Sequence, residues 1–243
     1  MLLWLARIAC LASALLGSAF SAQADELADF NAAIEAASAH NRVAIGYLRT
    51  GNEDLATLEI DRLRDAWIRL TERFSGNRPD VFANNPLYSR LFTAVSARLV
   101  GADLMLKTGR LDAARNGLDA IRGDLYALRK ASGVVVLADC IRDANTAMDA
   151  LMIYNDNALD WGKPETRTSV ANTASLYGSI LDRCDGTASE TVQKSPEFRR
   201  LVDGAKASLS LIPKAIATQD TDLLHRVLIE LRSFDNLLAF RFG

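Results

Sequence analysis

Two cysteines occupy positions from which their side chains could meet. Cys140 and Cys184 are equidistant from Gly162, and the run Trp161-Gly162-Lys163-Pro164 predicts a turn between two helices. Residues equidistant from the turn of an antiparallel helical hairpin stand opposite each other, so the spacing predicts that the two thiols are neighbours. A structural disulfide is the favoured interpretation. A two-cysteine metal site and a redox-active pair are the alternatives.

Other side chains could bind a metal ion or a cofactor. Met148 and Met152 are four residues apart on one predicted helix face, where two thioethers could hold Cu(I), although core packing is the usual role of such a pair. The chain has only two histidines, and they fall in different halves of the sequence. The polar groups around Cys140 could bind a cation or substrate, but a solvated helix face is the favoured reading: Asp139, Arg142, Asp143 and Asp149.

Known catalytic motifs are absent from the sequence. It contains no HExxH, GxSxG, phosphate-binding loop or Ser-His-Asp arrangement, which favours a protein that is not an enzyme. The 28 basic and 30 acidic residues give a net charge of −2, which argues against nucleic acid as a partner.

Trp161 and Tyr154 predict either an exposed aromatic contact or burial at the end of a bundle. Pro213 predicts a kink, which opens a pocket or accommodates packing.

Residues 1–24 have the pattern of a secretory signal peptide. Arg7 is the only charge, apolar and small residues run from Ile8 to Phe20, and Ala22-Gln23-Ala24 is the small-x-small pattern of a cleavage site. The apolar run is short for a membrane span. We therefore predict a periplasmic protein cleaved near Ala24, with no membrane span after cleavage; an uncleaved N-terminal anchor is the alternative.

The rest of the chain reads as helices. Apolar residues recur at helical spacing, and the glycine and proline clusters mark the boundaries. These signals predict an all-α protein of two consecutive up-down-up-down four-helix bundles, residues 25–132 and 133–243. The eight predicted helices are 26–50, 53–74, 86–107, 110–131, 134–157, 165–185, 196–217 and 220–240.

Three of the predicted turns repeat one pattern. When the three turns are aligned, Gly51, Gly109 and Gln219 occupy the same position. Each follows a threonine, and an aspartate comes three residues after it. The aspartate falls in the first turn of the next helix, where the helix dipole favours a carboxylate. Apolar residues then recur nine, twelve and nineteen positions after the turn and are expected to face a core: Ile60, Leu63, Leu70, Leu118, Ile121, Leu128, Leu228, Leu231 and Leu238.

The helices that flank two of these turns carry a family resemblance. Over Tyr88–Arg129 and Phe198–Gly243, each half resembles the cytochrome c-prime and soluble b-type cytochrome family of periplasmic four-helix bundles. In that family, haem is attached through Cys-x-x-Cys-His near the end of the fourth helix, or held by an early Met and a late His. The corresponding helix ends, Ala127–Ser132 and Asn236–Gly243, contain neither Cys nor His. The resemblance therefore implies the scaffold without its usual haem.

These observations together predict a function class. We expect an exported, non-catalytic binding or interaction protein without cofactor or metal. Its partner is expected to be a periplasmic protein or a small ligand. Binding is expected in a groove between helices or at the surface between the halves. The alternative is an electron-transfer or haem- or copper-binding protein with non-standard ligands such as His40, Met105, Met148 and Met152. His40 and His225 are otherwise expected to be surface or hydrogen-bonded residues.

Overall fold

A computed structural model describes residues 2–156 and 159–243, with side chains for residues 26–155 and 159–243. Over these residues the chain forms helices and no strand, so the predicted all-α class is confirmed. A short 3-10 helix, Asp80–Phe82, lies between α2 and α3. The α-helices are α1 Leu2–Arg49, α2 Glu53–Phe74, α3 Pro86–Lys107, α4 Leu111–Ala131, α5 Leu137–Asp156, α6 Pro164–Thr187, α7 Glu190–Gln193, α8 Pro196–Leu209, α9 Ile212–Thr218 and α10 Thr221–Phe242.

The chain divides into two compact units, Met1–Val134 and Val135–Gly243. In the first unit α1 packs against α2 and α4, and α3 packs against the same two helices, which closes a ring of four helices in chain order. In the second unit α5 packs against α6 and α10, and both of these contact α8 and α9. Each unit has a separate hydrophobic core. The boundary falls two residues beyond the predicted one.

The helices differ from the predicted ones at four places, of which three are these. The first helix begins at Leu2 instead of residue 26, and the predicted leader 1–24 lies outside the residues whose side chains the structure describes. The fifth begins at Leu137 instead of residue 134, after the left-handed turn at Gly133 and three valines that are outside the helix. The short helix α7 occupies the predicted connection before Pro196.

The prediction of one kinked helix over 196–217 is wrong, because the chain forms two helices there. α8 ends at Leu209 and α9 begins at Ile212, with Pro213 in its first turn. A proline has no amide hydrogen and its ring clashes with the carbonyl group four residues earlier, which here belongs to Leu209. In the first turn of a helix neither effect matters, so a new helix starts where the old one cannot continue.

The three repeated turns share one backbone conformation. Gly51, Gly109 and Gln219 have φ angles of 72°, 69° and 54°, in the left-handed region. Each turn closes with the same pair of hydrogen bonds; after α9, the amides of Gln219 and Asp220 donate to the carbonyls of Ile216 and Ala215. This is the Schellman arrangement, which satisfies the last carbonyl groups of a helix.

The repeat also predicts the core correctly. All nine of its apolar positions are buried, with relative exposures of 3% or less. The spacing places them on one side of each helix, so the same sequence pattern supplies both the turn and the face that packs. The repeat is therefore a structural unit that builds both cores.

Gln219 provides a test of the shared turn. Replacing Gln219 by Gly is expected to raise the free energy of unfolding by about 1 kcal/mol, because glycine adopts the left-handed conformation without a Cβ clash. Urea denaturation followed by circular dichroism measures the change. Gly109→Gln is the matched control and should lower stability by a similar amount; a loss of stability in Gln219→Gly would contradict the assignment.

Candidate functional site

A groove of about 640 Å³ runs between α6 and the pair α8 and α9 in the second unit. Its walls are mostly apolar. One wall consists of six residues of α6: Ala171, Ala174, Ser175, Gly178, Ser179 and Asp182. The other wall is formed by the end of α8, the break and α9: Leu209, Ser210, Ile212, Pro213, Ile216 and Ala217.

Small side chains on α6 keep the groove open. Its wall residues recur at spacings of three and four, so they share one face of the helix. Alanine, serine and glycine cannot reach across to α8 and α9, and a gap is left. A Cβ atom built on Gly178 would lie 3.6 Å from Cδ1 of Leu209, an ordinary contact distance. Because Gly178 and Leu209 both line the groove, a larger side chain at Gly178 would occupy groove space beside Leu209.

The break at Pro213 shapes the opposite wall. Because α8 ends at Leu209, the chain turns at Ser210 and Leu211 before α9 begins, and Pro213 lines the groove directly. Ile212 and Ala215 are buried and fix α9 to the core, whereas Pro213 is exposed. Of the two roles that the sequence left open for Pro213, the structure supports the first: Pro213 contributes to a pocket.

The polar side chains that line the groove are three serines and one aspartate. The hydroxyl groups of Ser179 and Ser210 donate to carbonyls of their own helical segments, at 2.8 and 2.6 Å. Asp182 accepts an ion pair from Lys206 across the groove end, at 2.7 Å. Lys206 also lies 3.5 Å from Asp185, and the hydrogen bond that Lys206 donates to Asp182 is the largest factor that raises the pKa of the Lys206 ammonium.

A buried carboxylate lies in the core on another side of α6. Asp235 of α10 is 1% exposed and accepts a hydrogen bond from the side-chain amide of Asn145, on α5, at 2.8 Å. The hydroxyl of Tyr177 on α6 donates to its other oxygen at 3.5 Å. Arg232 lies 3.3 Å from Asp235 and also pairs with Asp149, at 2.6 Å. The carboxylate thus connects three helices.

Burial dominates the ionisation of this cluster. It raises the pKa of the Asp235 carboxyl to about 6, although the hydrogen bond from Asn145 and the charge of Arg232 act in the opposite direction. Burial also raises the pKa of the Tyr177 hydroxyl, and the nearby Asp235 adds to the effect. A neutral Asp235 is therefore favoured in the folded state at mildly acidic pH.

Asp235 belongs to no sequence motif, but the repeat marks it. The sixteenth position after each shared turn is Trp67, Leu125 or Asp235. The two apolar residues are buried in the first unit, and Asp235 is buried at the same position in the second. A charged residue at an apolar position of a repeat is a signal that could have found this site. Pro213 is the sequence signal for the groove, but the volume of the groove depends on how α6, α8 and α9 are spaced.

The predicted cysteine pair is brought together. Cys140 on α5 and Cys184 on α6 are both buried, and their Cα atoms lie 5.3 Å apart. Their sulfur atoms are 2.18 Å apart, which is a disulfide distance. They face each other across the α5–α6 hairpin, as their equal spacing from Gly162 predicts.

The predicted non-standard haem or copper ligands are divided between the units. His40 and Met105 belong to the first unit, and Met148 and Met152 to the second. Nδ1 of His40 donates to Glu59 at 2.7 Å. Burial raises the pKa of the Glu59 carboxyl, but the hydrogen bonds from His40 and Arg62 outweigh burial, so the pKa of Glu59 is lowered. Met148 is completely buried in the core, and Met152 and Met105 pack at the edges of their cores. His225 is exposed.

The predicted polar cluster around Cys140 forms ion pairs to different helices. Asp143 pairs with Arg183 of α6 at 2.8 Å, whereas Asp149 pairs with Arg232 of α10. Asp139 is buried, and Arg142 is half-buried on the same helix. Over the part of the chain that the structure describes, no group of three or more His, Cys, Asp or Glu side chains is arranged to hold a metal ion.

The aromatic pair near the hairpin tip packs inward. Trp161 is 7% exposed, and its indole nitrogen donates to the hydroxyl of Thr221 at 2.8 Å. Tyr154 is half-buried against the same core. Of the two interpretations of these residues, burial at the end of the bundle is the one that the structure supports.

Comparisons of this chain with sequence models of protein families, with curated proteins and with solved structures gave no match. Among residues 26–155 and 159–243, whose side chains the structure describes, none of the helical segments combines the length and the apolar character that crossing a bilayer requires. The groove and the Asp235 cluster are therefore interpreted from their own geometry.

The Asp235 cluster predicts a pH-dependent stability. Its folded-state pKa of about 6 lies above the ordinary value of 3.8. The stability it contributes is therefore present below pH 4 and is lost as the pH rises through 6. We expect Asp235→Asn to gain stability relative to the wild type by roughly 3 kcal/mol between pH 4 and pH 7, because the amide carries no charge to bury.

Urea denaturation at a series of pH values measures this difference. Asp203→Asn is the control, because Asp203 lies on the surface of α8 in an exposed ion pair with Arg199. Its stability relative to the wild type should change little over the same range. If the difference in the free energy of unfolding between Asp235→Asn and the wild type stays constant with pH, the buried-carboxylate interpretation is contradicted.

Proposed function

We propose that the protein is an exported, non-catalytic binding protein that holds a small apolar molecule in the groove between α6, α8 and α9. The groove itself carries the proposal. Its volume of about 640 Å³ is within the range of small-molecule sites, roughly 300–1,000 Å³. Its apolar walls and few hydroxyl groups are the composition that such sites have.

The exported location is supported by two independent features. Residues 1–24 have the charge, apolar run and Ala22-Gln23-Ala24 ending of a signal peptide. Cys140 and Cys184 lie within disulfide distance, and disulfides persist in oxidising compartments such as the periplasm. We therefore propose a periplasmic protein that begins near Asp25.

The scaffold is part of the same proposal. We propose two four-helix units similar to those of the cytochrome c-prime and soluble b-type cytochrome family, without haem. The ring of contacts between α1, α2, α3 and α4 supports it, as does the corresponding ring in the second unit. The sequence-based alternative, haem or copper binding through His40, Met105, Met148 or Met152, predicts a Soret band or stoichiometric copper in protein purified from periplasm.

Filling the groove tests the binding function. N-phenyl-1-naphthylamine, an apolar dye that fluoresces out of water, is expected to bind the wild-type protein. Gly178→Leu should weaken this binding at least tenfold, because the leucine side chain extends into the groove. Fluorescence titration measures the affinity.

A second glycine of the same helix supplies the control. A Cβ atom added to Gly186 would meet no packed neighbour within 4 Å, and Gly186 does not line the groove. Gly186→Leu should therefore bind the dye as the wild type does, and circular dichroism should show both variants folded. Equal dye binding by Gly178→Leu and the wild type would place the dye elsewhere and refute the groove as the site.

The export proposal has its own test. Protein isolated from the periplasm should have the intact mass of a chain that begins near Asp25. It should show no free thiol under denaturing conditions and two after reduction, since Cys140 and Cys184 are the cysteines of the mature chain. Retention of residues 1–24, or two free thiols before reduction, would contradict it.

A further inference from the structure

The groove has a direction, which the contacts between its walls establish. Gly178 of α6 lies opposite Leu209 of α8, and Asp182 lies opposite Lys206. Residue numbers rise along one wall and fall along the other, so α6 and α8 are antiparallel. The residues of α9 therefore lie toward the Ala171 end. One end of the groove is apolar, and the other ends at an ion pair.

The distance between the two ends suits an elongated molecule. Ala171 and Asp182 both line the groove on α6, and at 1.5 Å per residue their positions are about 16 Å apart along the helix axis. Between them lie side chains no larger than serine, and Ile216 and Pro213 face them from α9. An extended alkyl chain fits this shape, since it needs apolar contact along its length and no hydrogen bonds.

The charged end of the groove is acidic. Lys206 pairs with Asp182 and Asp185, and Arg199 pairs with Asp185 and Asp203. This network contains three carboxylates and two cations. Asp182 is the charged side chain that lines the groove, and it is 70% exposed, so a bound molecule can reach it from solvent. Both cations already have carboxylate partners.

We propose that the groove binds an elongated apolar molecule with one cationic end, such as an alkylamine, with the ammonium group at Asp182. This inference rests on the proposed function and adds the chemical class of the ligand. The alkyl part lies along Ala171, Ala174 and Gly178, and the ammonium group shares the carboxylate of Asp182 with Lys206. An anionic head group at the same place would meet an excess of carboxylates.

Three probes that differ only in their head groups test the inference. Octylamine, octan-1-ol and octanoate are titrated at pH 7.5 against the protein with bound N-phenyl-1-naphthylamine, and displacement of the dye is measured. Octylamine should bind about three- to fivefold more tightly than octan-1-ol, the effect of one exposed ion pair, and octanoate most weakly.

Two variants with the same change of charge assign the effect to one residue. Asp182→Asn should abolish the preference for octylamine over octan-1-ol, because the amide cannot pair with an ammonium group. Asp143→Asn is the matched control, because Asp143 is in an ion pair with Arg183 and does not line the groove. It should keep the preference of the wild type.

The possible outcomes separate this inference from the function on which it rests. Displacement by all three probes with equal affinity would overturn the cationic preference and support an apolar groove. A preference that persists in Asp182→Asn would overturn the position of the ammonium group. If the dye binds neither the wild type nor the Gly186→Leu control, the proposed function itself is overturned.

Discussion

The missing amide hydrogen of Pro213 is the constraint on which the groove depends. A continuous helix over residues 196–217 would need an amide at position 213 to donate to Leu209, and proline cannot supply it. The chain instead ends α8 at Leu209 and begins α9 with Pro213 in the first turn. The wall that faces α6 is therefore formed by two helix ends and a turn. Across from it α6 has only small side chains, so the resulting space is not filled.

Two faces of α6 have different environments. Ala174 and Gly178 line the groove, whereas Tyr177, between them in sequence, is completely buried and donates to Asp235. Burying a carboxylate in a core costs several kcal/mol, and hydrogen bonds from Asn145 and Tyr177 together with the charge of Arg232 offset part of this cost. Such a cluster favours one arrangement of α5, α6 and α10, because a displaced helix would leave polar groups without partners.

The sequence predicts the elements well and the spaces between them poorly. Helical periodicity and the turns at Gly51 and Gly109 depend on local conformation, so the helix order and the buried face of the repeat follow from the chain alone. The approach of Cys140 and Cys184 follows from hairpin symmetry. The groove does not follow, because its volume depends on the distance between helices. Asp235 is an intermediate case: the repeat marks its position, but its partners Asn145 and Tyr177 lie on helices outside the aligned turns.

The two walls of the groove differ in how firmly they are held. α6 has 24 residues, and Cys184 lies at bonding distance from α5 while Tyr177 is hydrogen-bonded to α10. α9 has seven residues, of which only Ile212 and Ala215 are buried. Local opening of a segment is easiest where few apolar side chains are buried. Adjustment of the groove to a longer or thicker alkyl chain should therefore come from α9, because movement of α6 would disturb the cysteine pair and the Asp235 cluster together.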